Sequence, residues 1–239
     1  MIRARWCLTA TFVVGGCIAL GTATAPRAVA QDSAVQQRLA AIKESAAQNK
    51  QELAQYTWQE LETTSINGQA KKQETYSVKI GPDGKPVKTP IDSSASSAPT
   101  HGLKGDIAGK KEKEYAEYGQ QIAALAQSYM QPDPGRLNQL YQQGNVTVAP
   151  GTSQLVIHNY VKQGDTVTMT MDPTSKALSS INIASYLSKP SDAVTISAQF
   201  QQIPGGPNHV SAMTVNGVSK KLTVQTQNSN YQKIGASSS

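Results

Sequence analysis

Three histidines, His101, His158 and His209, are the only imidazoles available to act as a general base or a metal ligand. A catalytic base needs a positioned partner within hydrogen-bond reach, and a metal needs several converging ligands. His101 sits in a Ser/Ala/Gly stretch, and His209 follows a Gly-Gly-Pro-Asn turn. His158 lies mid-strand, with Val156 and Tyr160 on its own face. No two of them stand at helix or strand spacing for a shared metal, and HExxH, GxSxG and phosphate-loop patterns are absent. Among the carboxylates, Glu60 and Glu62 share a strand face. Asp83, Asp165 and Asp172 stand at turns, which explains them without catalysis. The expectation is therefore no catalytic residue, no metal and no cofactor; an enzyme with a dispersed site is the least supported alternative.

The two cysteines, Cys7 and Cys17, lie in an N-terminal segment with its own logic. Arg3 and Arg5 precede an apolar run from Trp6 to Leu20, and Ala28-Val29-Ala30 precedes Gln31. A cationic start, an apolar middle and small residues at −3 and −1 are the requirements of a secretory signal. Residues 1–30 are read as that signal, and the mature chain as periplasmic or otherwise exported. Val14-Gly15-Gly16-Cys17 also fits a lipobox, which would make the protein a membrane lipoprotein acylated at Cys17. The apolar Ile18-Ala19-Leu20 after the cysteine and the intact Ala-x-Ala site favour free export.

Cleavage after Ala30 leaves no cysteine, so no disulfide or thiol chemistry remains. It also removes Arg3, Arg5 and Arg27, taking Lys+Arg from 22 to 19 against 16 Asp+Glu and the formal charge from +6 to +3. The remaining lysines are dispersed, which excludes a nucleic-acid footprint. About 209 residues suffice for one domain with an ordinary core, expected over residues 31–234 with a short tail at 235–239.

The elements that position these residues follow from periodicity. Residues 33–55 predict a helix, with Val35, Leu39, Ile42, Ala46 and Leu53 on one stripe. From Gln55 the period changes to two, and Asn67-Gly68 supplies a hairpin turn. Tyr76, Val78 and Ile80 mark the returning strand. Gly81-Pro82-Asp83-Gly84 marks the next turn, and Val87–Ile91 a short third strand. Residues 92–106 are Ser/Ala-rich and predict a mobile loop. A long helix is expected over about 107–130, where Tyr115, Tyr118, Ile122, Leu125 and Tyr129 recur at three and four. Asp133-Pro134 begins a short helix with Leu137, Leu140 and Tyr141 on its apolar face. Strands are expected at 154–162, 166–172, 177–187, 193–203, 209–216 and 219–227, with Val167/Met169/Met171 alternating against Thr166/Thr168/Thr170. The fold class is α+β: a curved antiparallel sheet or half-open β-barrel of about nine strands, with helices packed in or over the concave face.

Tyr56-Thr57-Trp58 after the first helix, the Asn67-Gly68 hairpin, the central helices, and Thr166–Asp172 followed by Lys176–Ile183 carry a family resemblance. In the order of its elements the chain resembles the LolA/LolB-like periplasmic lipoprotein-carrier superfamily. It also looks like uncharacterised exported bacterial proteins with Tyr56–Trp58, Pro82–Lys85 and Asn228–Ile234 in these positions. The resemblance implies a half-open barrel that holds acyl chains inside. One departure is that the carrier family has an important arginine in its early strands, whereas residues 55–91 contain none; past residue 30 the only arginines are Arg38 and Arg136.

The leading expectation is a non-enzymatic binder of a lipid, acyl chain or other hydrophobic ligand in the cell envelope. Its candidate lining is Trp58, Tyr76, Val78, Met169, Met171, Ile181, Ile183 and Phe200, with Trp58 facing the helix-covered side. The same residues would equally form an ordinary core. The alternative is a protein-interaction or envelope-sensing domain on the same fold, with an envelope protein as partner.

Overall fold

The computed structural model describes residues 26–95, 103–130, 133–149 and 151–235. Three helices and ten strands follow one another as α1 (Pro26–Leu53), β1 (Tyr56–Ile66), β2 (Gln69–Ile80), β3 (Pro86–Ala95), α2 (Leu103–Met130), α3 (Pro134–Gln142), β4 (Val146–Val148), β5 (Gln154–His158), β6 (Thr166–Met171), β7 (Leu178–Tyr186), β8 (Ala193–Gln202), β9 (Asn208–Gly217) and β10 (Leu222–Lys233).

The strands form one sheet in the order β3-β2-β1-β10-β9-β8-β7-β6-β5-β4. Every pairing is antiparallel. The first strand is joined to the last, so β3 and β4 become the two edges and the sheet stays open. Chain order then makes a demand on α2 and α3, because they must carry the chain from one edge to the other. With 28 residues, α2 is about 42 Å long at 1.5 Å per residue, comparable to nine strand spacings of ~4.8 Å. The long helix is the length the topology needs.

Local chemistry explains the boundaries. Asn67 and Gly68 both have positive φ (52° and 76°), the conformation that joins two strands in the tightest hairpin and that Asn-Gly adopts most cheaply. Asp133 caps α3, accepting from the backbone N–H groups of Gly135 and Arg136, with Pro134 in the first turn.

Several boundaries differ from the sequence expectation. α1 begins at Pro26, so the expected cleavage site after Ala30 falls within its first two turns. β3 runs on to Ala95 and α2 starts at Leu103, so the expected loop at 92–106 shrinks from both ends. His101 and residues 96–102 lie outside the described residues, as do residues 1–25 and 236–239. The strand expected over 154–162 ends at His158, because Asn159 takes a positive φ of 58° and turns the chain. The sheet has ten strands rather than about nine, the extra one being β4, three residues opposite Leu155, Val156 and Ile157.

Candidate functional site

Register defines one inner face across the sheet. Leu222 and Gly217 are paired across β10 and β9, and both meet α2. A Cβ on Gly119 would lie 3.6 Å from Leu222 Cδ2, and one on Gly217 would lie 2.3 Å from the Tyr118 ring. The Tyr118 ring thus rests directly on the Gly217 backbone, and no other residue fits there. Stepping by two from this point, the inner face takes in Ile66, Thr64, Glu62, Glu60 and Trp58 on β1. On β2 it takes in Glu74, Tyr76 and Val78.

On the β5–β9 side this face is a packed core. Leu155, Ile157, Val167, Met169, Met171, Ile181, Ile183, Val194, Ile196, Ala198 and Val215 are buried with Tyr118, Ile122, Leu125 and Tyr129 of α2 and Val35 and Ile42 of α1. Ile122, at 0% exposure, sits at its centre. Alternation with the threonines of β6 is complete, as periodicity predicts. Two tyrosines fix α2, Tyr129 also meeting the Ser185 hydroxyl at 2.7 Å. The Tyr129 hydroxyl donates to Asp165 Oδ2 at 2.6 Å, and the same carboxylate accepts the backbone N–H groups of Tyr160, Val161 and Lys162 at 2.6–2.9 Å. Higher on the helix, the Tyr118 hydroxyl donates to Asp192 at 3.0 Å. Burial, followed by the bond to Asp165, raises the Tyr129 phenol far above its ordinary range. Asp165 is 1% exposed; its turn role, read from sequence, is correct, but its burial and its hold on α2 are not visible there.

The β1–β3 arm differs. Its inner face carries Glu60, Glu62, Glu74, Tyr76, Lys72 and Lys88. The Lys88 ammonium forms ion pairs with Glu60 and, at 3.5 Å, with Glu62, and lies 5.5 Å from the centre of the Tyr76 ring. Lys72 pairs with Glu74 at 2.8 Å, and the Tyr76 hydroxyl donates to Glu74 at 2.7 Å. The Lys72 contact holds the Glu74 carboxyl below its usual value. For Lys88, burial acts to lower its pKa, but Glu60 and Glu62 more than offset this and raise it. Trp58 stacks on Tyr231 of β10, with ring centroids 5.6 Å apart, and His209 lies against the same tyrosine at 4.1 Å. Burial lowers the His209 pKa, against the opposing effect of hydrogen bonds with the Gln201 and Pro207 backbones.

No family model matches the chain, and no curated protein matches it. Among solved structures the chain is similar to a DUF1329 family protein from Desulfovibrio piger, at 11% identity and a TM-score of 0.41, over 87% of this chain and 95% of that one. A likeness at this level does not define a family for the chain.

The eight residues singled out from sequence divide between the two regions. Met169, Met171, Ile181 and Ile183 belong to the packed core, and Phe200 packs partly buried against it. Trp58 and Val78 are also buried, at 6% and 0% exposure, and are cross-strand partners, but they lie outside that core. By register Trp58 lies on the inner face, where it stacks on Tyr231 of β10. Tyr76 belongs to the charged network. Sequence reasoning missed His209, Tyr231 and Asn228. A histidine just after a Gly-Gly-Pro-Asn turn reads as a surface residue, and only the return of β10 beside β1 buries it. His158 is exposed on β5, with Nδ1 3.3 Å from the Thr166 hydroxyl.

Two grooves open on the surface. One, of about 370 Å³, lies at the hairpin end where Asn67 and Gly68 face Asn216, Val218 and Leu222. The other, of about 360 Å³, lies between α1 and β6 beside Arg38, Met171 and Lys176. Arg38 is already engaged there, donating to the carbonyls of Gln154 and Thr152. Among the described residues no cluster of His, Cys, Asp and Glu is grouped to hold a metal, and no helix is long and apolar enough to cross a membrane.

Proposed function

We propose that this chain is an exported, non-enzymatic binding protein of the LolA/LolB-like kind, holding a lipid or acyl chain on the inner face of its sheet. The observation that supports this reading is the open sheet itself. Because β3 and β4 never pair, the apolar face of β5–β9 is closed by helices alone. Side-chain packing and the hydroxyls of Tyr118 and Tyr129 hold α2 there. Such a cover exchanges one apolar partner for another without breaking a backbone ladder, and methionines Met169 and Met171 tolerate partners of varied shape. The hairpin-end groove beside Gly217 and Leu222 gives an acyl chain a starting point. The N-terminal segment supports the export part of this reading, under which N-terminal sequencing of envelope material should begin at Gln31; an acylated Cys17 would place the protein on a membrane instead.

Native mass spectrometry of protein purified from the cell envelope tests the reading. Carriage predicts a population heavier by the mass of a lipid or fatty acid, lost on delipidation. Bare protein alone, even after incubation with long-chain fatty acid, would refute it.

A further inference from the structure

The described chain leaves four buried side-chain polar atoms without a hydrogen bond: Trp58 Nε1, Glu60 Oε1, His209 Nδ1 and Asn228 Oδ1. All four belong to one neighbourhood. Trp58 and His209 both pack on Tyr231, Glu60 and Asn228 are cross-strand partners on β1 and β10, and the Glu60 carboxylate acts electrostatically on the Tyr231 phenol. Buried polar groups are nearly always satisfied, and each one left bare is costly. Trp58, Glu60 and His209 are only 6–7% exposed, so bulk water does not serve them. Glu60 Oε1 is already in close contact with the Lys88 ammonium, so a ligand's ammonium would have to share this carboxylate with Lys88 or displace it.

Two features specify what would satisfy these atoms. The first is charge. The connected network holds three carboxylates, Glu60, Glu62 and Glu74, against the two ammonium groups of Lys72 and Lys88, leaving one negative charge uncompensated. The second is hydrogen-bonding sense. Asn228 Oδ1 and Glu60 Oε1 accept only, and Asn228 already donates its Nδ2 to the Val210 carbonyl. His209 Nδ1 accepts when its proton is on Nε2. Trp58 Nε1 alone donates.

We propose that this corner is a binding site for a primary ammonium group with a neighbouring oxygen, the chemistry of an amino alcohol. The ammonium offers three N–H donors to Glu60, Asn228 and His209 and supplies the missing positive charge, while the adjacent oxygen accepts from Trp58 Nε1. The aromatic walls of Trp58 and Tyr231 suit a cation as well. This inference rests on the reading of the inner face as a ligand site and names the polar end of what it would take.

Isothermal titration calorimetry of the full chain with ethanolamine tests it, with ethylene glycol as the uncharged counterpart. Saturable binding of ethanolamine and none of ethylene glycol is expected. Glu60→Gln should weaken binding by at least about tenfold. Lys88→Met removes the cation that competes for Glu60, and the variant, once its circular dichroism is shown to match that of the parent, should bind several-fold more tightly. No saturable heat with ethanolamine, equal binding of ethylene glycol, or weaker binding by Lys88→Met would overturn the proposal. A short-chain lipid with an ethanolamine head, run against one with a glycerol head, separates the sources. Preference for the former over free ethanolamine supports an amphiphile, and equal affinity supports the free amine. Amine binding without lipid co-purification would contradict only the carrier reading, and lipid carriage without amine binding only this one.

Discussion

The β5–β9 region and the β1–β3 arm share one hydrogen-bonded sheet and one inner face, yet they are built on opposite principles. In the first, the inward positions are mostly apolar and form one buried cluster with α1 and α2, Ser185 being a polar exception that meets Tyr129. Its polar groups are few and fully engaged, as with the Asp165 carboxylate and its four donors. In the second, the same alternation presents Glu60, Glu62, Glu74 and Tyr76 inward, and the buried Trp58 Nε1, Asn228 Oδ1 and His209 Nδ1, which lack a hydrogen bond, lie on β1, β10 and the neighbouring β9. The difference teaches that strand periodicity fixes which residues share a face, while the covering element decides what that face is for. A face built for packing would not put three carboxylates inside.

The largest effect should come from attacking the helix anchor. Asp165→Ala leaves the backbone amides of Tyr160, Val161 and Lys162 without their acceptor and the Tyr129 hydroxyl with Ser185 alone, and at about 1–3 kcal/mol per unsatisfied group it should cost about 3 kcal/mol or more in urea unfolding. A loss under about 1 kcal/mol would mean that α2 is not anchored there and that the packed half is looser than drawn.

Trp58→Ala sharpens the comparison from the other side. If the arm's aromatic corner packs as tightly as a core, the substitution should cost about 3–5 kcal/mol. In a chain prepared from Gln31 onward Trp58 is the sole tryptophan, and it should emit at a blue-shifted, buried maximum. A solvent-like maximum together with no loss of stability would contradict its placement on Tyr231.

Most of the fold was legible because its signals are local. Alternation in Thr166–Met171, the Asn67-Gly68 turn and the stripe of Tyr118, Ile122, Leu125 and Tyr129 each span one element, and each appears as expected. β4 was not legible, since three residues hold no period, and its strand character comes wholly from pairing with β5. The site was legible only in part, for a different reason. Trp58, Tyr76 and Val78 were singled out as apolar or aromatic strand residues, but their partners Tyr231, His209 and Asn228 come from segments more than 130 residues later in the chain. The closure of β1 on β10 brings them together, and no spacing in the sequence encodes that contact.

Lys72→Met should change stability by less than about 1 kcal/mol, because its ammonium is half exposed and such ion pairs contribute little. In the packed half, by contrast, Ile122→Ala should cost about 2–5 kcal/mol. Equal effects would erase the distinction between the two regions.

The smallest effect is a pH slope. Burial lowers the His209 pKa from its ordinary 6.5, so the unfolded chain binds a proton that the folded chain resists. Stability from this source is complete above about pH 6.5 and declines as pH falls from there toward the folded value. His209→Gln should flatten the dependence of the urea midpoint between pH 7.5 and the acid side. An unchanged slope would assign the pH response elsewhere.

The central claim is that the inner face of the open sheet takes a hydrophobic ligand. Hydrogen exchange of the full chain, with and without a long-chain fatty acid, addresses it most directly. Binding predicts that the amides of α2 change their protection, together with those of β6 to β9 beneath it, while the outward turn at Asp172–Lys176 does not. Identical exchange throughout the chain at saturating fatty acid would contradict the account.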